Sequence, residues 1–107
     1  MVIGRFEIYL VAFDPTSGSE IQKTRPALVV SPDEMNQHLR TVIVAPLTSK
    51  GQSYPTRVAC RFKGKSGRVV LDQIRTVDRK RLVRKLGTID RSVARSVLDV
   101  LQQMFAQ

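Results

Sequence analysis

Cysteine and histidine are almost missing from this chain: Cys60 and His38 are the only ones, and tryptophan is absent. One thiol excludes an intramolecular disulfide framework, and one thiol with one imidazole excludes a Cys/His zinc site. A ribonuclease built on a histidine pair is excluded as well. Acids are scarce: nine Asp and Glu are scattered over 107 residues, and Asp33-Glu34 is the one adjacent pair. A metallonuclease gathers Asp, Glu and His around one or two cations, so neither a metal site nor a cofactor is expected. No Gly-rich phosphate loop followed by Lys-Ser/Thr is present. No apolar run approaches the ~20 residues of a membrane span, and no signal-peptide pattern opens the chain. Repeats, low-complexity stretches and linkers are missing too. A single domain, 1–107, in the cytoplasm is the expectation.

Positive charge is what the chain has in excess. Eighteen Lys and Arg against nine acids give a formal charge of +9. Such an excess on a small surface favours a polyanionic partner, most often nucleic acid. Ribosomal assembly, a membrane surface or an acidic protein would also suit it.

The first two thirds read as short strands. Phe6 to Phe13 is apolar on both faces apart from Glu7, which suits a strand covered from two sides. Asp14-Pro15-Thr16-Ser17-Gly18-Ser19 breaks it with turn chemistry. Pro26 to Val30 and Thr41 to Ala45 are β-branched and apolar, hence central strands. Between them, Ser31 to Leu39 is read as a helix with Ser31 as its cap and Pro32 in its first position. Thr56 to Phe62 alternates, turning Val58, Cys60 and Phe62 inward and Arg57 and Arg61 outward. Cys60 therefore reads as a core thiol, and His38, in a polar turn, as a surface residue. Lys63 to Gly67 makes a hairpin loop into Arg68 to Asp72. Thr76-Val77-Asp78 opens a short basic segment, and Leu82 to Ile89 is a further strand.

Asp90 then caps a C-terminal helix. At 100° per residue, Val93, Ala94, Val97, Leu98, Val100, Leu101, Met104 and Phe105 share an arc of roughly 160°. The fold expected is mainly β with a C-terminal helix, a small curled antiparallel sheet or barrel of the SH3-like or OB-like class.

One reaction on nucleic acid survives so sparse an inventory. RNA carries its own nucleophile, the 2′-hydroxyl, so cleavage needs no metal or covalent enzyme intermediate. The protein must align that hydroxyl with phosphorus, neutralise the phosphorane and assist two proton transfers.

Gly18-Ser19-Glu20-Ile21-Gln22-Lys23-Thr24-Arg25-Pro26, followed by the apolar run Ala27 to Val30, resembles the signature of the MazF/PemK toxins. Glu7 to Val11 with Phe13-Asp14-Pro15-Thr16 resembles that family's opening strand and turn. Val42 to Ser49 is similar to its strand ending in a Thr-Ser pair. Tyr54-Pro55 and Asp72 to Asp78 follow in the family's order, so the resemblance spans nearly the whole chain. It implies an SH3-like barrel working as a homodimer, a metal-independent endoribonuclease cutting single-stranded RNA, and an acidic MazE-like antitoxin. The two apolar faces of the first strand, more than one small core needs, point the same way on dimerisation.

Read without the family, Arg25 is one of twelve arginines, held extended at a loop-to-strand junction by Pro26. Thr48 would simply cap a turn. The resemblance makes Arg25 and Thr48 the catalytic pair. It places Ser19, Glu20, Lys23, Thr24, Ser49, Asp72 and Gln73 along the RNA groove. The basic run Arg79-Lys80-Arg81, with Arg84 and Lys85, is a solvated face or a phosphate track. Three positions depart from the family pattern: Phe6 stands where Gly is common, Ile21 where Gln follows the loop glutamate, and Lys23 where Gly is usual. Two other functions stay open, a non-catalytic topoisomerase poison on the same barrel and a plain basic RNA-binding module.

Overall fold

The computed structural model describes residues 1–13 and 24–107. Its elements are β1 (Glu7–Ala12), β2 (Thr24–Val29), α1 (Asp33–His38), β3 (Thr41–Thr48), β4 (Arg57–Phe62), β5 (Lys65–Val70), β6 (Arg75–Asp78), β7 (Leu82–Thr88) and α2 (Arg91–Phe105). Single 3-10 turns at Leu71–Gln73 and Arg79–Arg81 flank β6.

Strand β3 makes the sheet curl. It pairs with β6 from Thr41↔Asp78 to Val44↔Arg75 and with β2 from Val29↔Val44 to Ala27↔Pro46. Its last two residues, Leu47 and Thr48, switch to Val69 and Arg68 of β5. One strand thus serves two sheets, and the path β4-β5-β3-β2-β1-β7 forms a half-barrel in which every pairing is antiparallel. At its edges the Phe62 ring of β4 lies against Gly87 of β7, where a Cβ would stand 2.8 Å from the ring.

Two cores result. Alternate residues of the central strands (Ile8, Leu28 and Ala45 among them) join Val58, Cys60, Val69 and Leu71 under the buried Ala94 and Val97 of α2. Tyr9, Val11, Ala27, Val29 and Val44 point the other way, onto Ile3, Phe13, Val42, Val77 and Leu82. Both faces of β1 are therefore covered within one chain, and its second apolar face no longer argues for a dimer.

Five local expectations shift. Pro32 rather than Ser31 occupies the cap of α1; Ser31 is buried, donating to Asn36 Oδ1 and accepting the Ile43 N–H at 3.0 Å. The β4–β5 loop shrinks to Lys63-Gly64, both with positive φ (52° and 77°), as a two-residue type I′ hairpin turn requires. Thr76 to Asp78 belongs to a strand, β6. Asp90 stands at the cap of α2 without a side-chain cap bond, and Phe105, counted in the apolar arc, is exposed.

Candidate active site

The β2–β3 ladder stops at Ala27↔Pro46, and Pro26 accounts for it. Val30 donates to the Ile43 carbonyl, so alternate residues of β2 face β3, and at the next such position after Leu28, Pro26 has no N–H to donate. Continued by two residues, the same register sets Arg25 opposite Thr48. Arg25 is exposed at the start of β2, where it pairs on its other side with Val11 of β1. Thr48 is half-buried at the end of β3. Beside Pro26, between the end of β3 and the β4–β5 hairpin, lies a hollow of about 220 Å³ lined by Leu47, Thr48, Ser49, Lys65 and Gly67, among others; Arg25 is not on its wall.

The Thr48 hydroxyl is fixed by its own turn. It accepts the Lys50 N–H at 3.1 Å and donates to the Lys50 carbonyl at 3.2 Å. One lone pair remains. From behind, β5 passes so close that a Cβ on Gly67 would lie 2.8 Å from the Thr48 carbonyl oxygen. Only glycine fits there without displacing the backbone.

Ser49 lines the same hollow, and Thr24 is exposed one residue before Arg25. Ser19, Glu20 and Lys23 lie outside the described residues. Asp72 and Gln73 do not line the hollow. They sit on the 3-10 turn after β5, and Asp72 serves the scaffold: its carboxylate accepts Arg57 Nε at 3.2 Å, Arg57 Nη2 at 3.3 Å and the Thr56 hydroxyl at 3.0 Å. The Arg57 guanidinium holds the Asp72 carboxyl below its ordinary range against a small opposing effect of burial, and Asp72 raises Arg57 in return. Arg57 also stacks 4.9 Å from the Tyr54 ring centroid.

A second polar network, half-buried, is at Glu7. Its carboxylate accepts the Gly4 N–H at 2.7 Å and the Tyr9 hydroxyl at 3.1 Å, and pairs with Lys85 Nζ at 2.7 Å. Burial works to raise the Glu7 pKa, but these partners together bring it below the ordinary value. Burial, then the neighbouring Glu7 charge, pushes Tyr9 up to about 12. Neither group reaches the hollow at Thr48. Cys60 does line it, yet burial raises its thiol pKa, which suits a core residue rather than a nucleophile. Among the described residues, no three His, Cys, Asp or Glu converge as metal ligands, and no helix is long and apolar enough to cross a membrane.

Gly67, Arg61 and Arg68 border the site without having been singled out from sequence. The alternation of β4 put Arg61 outward, but nothing local in the chain says that β5 turns back against Thr48.

Residues 4–105 match the family of PemK-like, MazF-like toxins of type II toxin–antitoxin systems. Endoribonuclease EndoA of Bacillus subtilis is 33% identical over 108 residues, covering 95% of this chain and 93% of its own. The crystal structure of MazF from Deinococcus radiodurans superposes with a TM-score of 0.81 at 29% identity, over 100% of this chain and 99% of that one. A MazE–MazF structure from the same organism gives 0.82 at 30% identity, over 97% and 96%.

Proposed function

The chain belongs to the PemK/MazF-like family of type II toxins and is an endoribonuclease, and we propose that it cleaves single-stranded RNA at particular sequences, without a metal, through the substrate's own 2′-hydroxyl. The 2′-oxygen attacks the adjacent phosphorus as its proton leaves, and the bond to the 5′-oxygen breaks as that oxygen takes up a proton. The products are a 2′,3′-cyclic phosphate and a 5′-hydroxyl.

In this reading Arg25 neutralises the charge that builds on the phosphorane. Its guanidinium stays protonated at ordinary pH, so it stabilises charge rather than removing the proton. Thr48 donates to a non-bridging phosphate oxygen, which replaces the Lys50 carbonyl as acceptor for its O–H. Thr24 and Ser49 flank this pair. Ser19, Glu20 and Lys23 of the preceding loop, with Asp72 and Gln73, contact the RNA farther along. The observation that supports the proposal is the register of β2 and β3, which ends at Ala27↔Pro46 and, continued by two residues, would bring Arg25 across from Thr48.

The charge of +9 suits an RNA substrate and an acidic MazE-like antitoxin alike. MazE is bound to MazF in the Deinococcus radiodurans complex. A homodimer acting in the cytoplasm, each copy one toxin domain spanning 1–107, completes the reading. The test is a pair of oligonucleotides that differ only at the cleavage site. RNA should be cut, and a single 2′-deoxy substitution there should abolish cutting. Equal cutting of both would contradict the role of the 2′-hydroxyl.

A further inference from the structure

A second, larger hollow adjoins the one at Thr48. Ser49, Cys60, Ser66 and Gly67 border both. The second is an open cleft of about 480 Å³ across the β4–β5 hairpin, and Arg61 and Arg68 line it. The register Arg61↔Ser66 and Ala59↔Arg68 makes the two arginines diagonal neighbours. They share the face opposite the buried Val58, Cys60 and Val69, at a diagonal spacing of ~7–8 Å.

Both guanidiniums keep most of their donors. Arg61 Nη2 donates to the Gly64 carbonyl and Arg68 Nη1 to the Gly51 carbonyl, each at a long 3.3 Å. A guanidinium has five N–H donors, and among the described residues neither arginine is ion-paired with a carboxylate. Asp90 is the one acid on the described wall, set against the two cations. We propose that this cleft is a second phosphate-binding subsite, in which Arg61 and Arg68 hold the RNA backbone as it leaves the cleavage site at Thr48.

The proposal rests on the reading of Thr48 given above. An RNA backbone suits the cleft better than a folded acidic peptide does. Its walls set the Ser49 and Ser66 hydroxyls and two guanidiniums beside the small apolar side chains of Ala59, Cys60 and Val93, with no aromatic pocket for a hydrophobic anchor. Planar guanidiniums match phosphate oxygens two at a time.

The test compares two non-cleavable RNAs carrying the 2′-deoxy substitution, one covering only the cleavage site and one extended on both sides. Wild-type protein should bind the longer RNA more tightly. Arg61→Gln with Arg68→Gln should remove most of that gain. The same pair should flatten the log–log salt dependence for the long RNA by about 1.4, near 0.7 for each phosphate released on a single strand. Arg61→Lys with Arg68→Lys should restore part of the gain, because charge returns without the fork. Should the Gln pair fail to fold, that intermediate gain in the Lys pair is the deciding result. Arg40→Gln with Arg95→Gln, both exposed and on the wall of neither hollow, removes equal charge away from the cleft and should keep the gain. An unchanged gain in the folded Gln pair would overturn the subsite, as would an equal loss in the control pair. So would a Gln pair that binds RNA normally but loses an acidic antitoxin peptide. Wild-type protein that cuts RNA yet shows no gain with length overturns this proposal alone; wild-type protein that neither binds nor cuts RNA overturns the ribonuclease reading with it.

Discussion

Arg25 and Thr48 are separated by more than twenty residues of chain, and the β2–β3 ladder that leads toward both ends at Ala27↔Pro46. Pro26, with no N–H to give β3, leaves the strand ends beyond that point without a ladder bond. Arg25→Ala and Thr48→Ala should each lower kcat at least ~100-fold while the proteins stay folded, because removing one transition-state donor costs roughly 3–4 kcal/mol. Single-turnover cleavage with circular dichroism as the folding control checks this. Gly67→Ala should also lower kcat, by about tenfold or more, because small misplacements at a reacting centre are costly. A Cβ there meets the Thr48 carbonyl at 2.8 Å. The loss should largely vanish in a Thr48→Ala background, whereas a general weakening of the fold would persist.

Phe6 gives the same lesson in reverse. The motif comparison marks it as a residue where the family commonly has glycine, and the backbone supplies the cause: φ is 71°, in the left-handed region. At most positions Ala is more stable than Gly. Here Phe6→Gly should be more stable than Phe6→Ala by about 1 kcal/mol, since the Cβ penalty in that region is of this size. Urea denaturation of the two variants measures the sign directly.

At the scale of elements, alternation and apolar runs were enough to place β1, β2, β4, β7 and α2 close to their observed positions. They fail where partners are distant. Thr76 to Asp78 is short and polar at its exposed positions, so only its pairing with Thr41 to Ile43 of β3 reveals a strand. The switch of β3 from β6 to β5 is likewise invisible locally, and it hid Gly67 and Arg68 from a sequence reading. The two apolar faces of β1 were legible, but the second core that covers them was not.

The ion pair between Glu7 of β1 and Lys85 of β7 ties together strands that meet across the chain. Because the folded Glu7 pKa lies below its ordinary value of 4.5, the pair's contribution is complete above that value. It fades as pH falls through the lower, folded pKa. Glu7→Gln should therefore be less stable than wild type at neutral pH, and the difference should shrink on acidification. Denaturation midpoints measured from pH 7 downward test this; a constant difference would contradict it.

Over the whole molecule, charge and fold class were the most legible properties, since neither depends on detailed register. An excess of cations with few acids and one histidine favoured a polyanionic partner and left a reaction in which RNA supplies the nucleophile among the readings open to the chain. In the proposed reading that chemistry takes place at the rim where the β2–β3 ladder ends, near the strand ends that carry Arg25 and Thr48. The mainly β half-barrel with its C-terminal helix holds that rim through two cores, one on each face of the central strands.

The chemistry of the RNA ends tests this most directly. Purified protein is incubated with single-stranded RNA in excess EDTA, and the termini of the fragments are identified, with Arg25→Ala run in parallel. Wild-type protein should yield a 2′,3′-cyclic phosphate on one fragment and a 5′-hydroxyl on the other, and Arg25→Ala should yield almost none. Cleavage that stops in EDTA and returns with magnesium, or fragments bearing 5′-phosphate and 3′-hydroxyl ends, would contradict it.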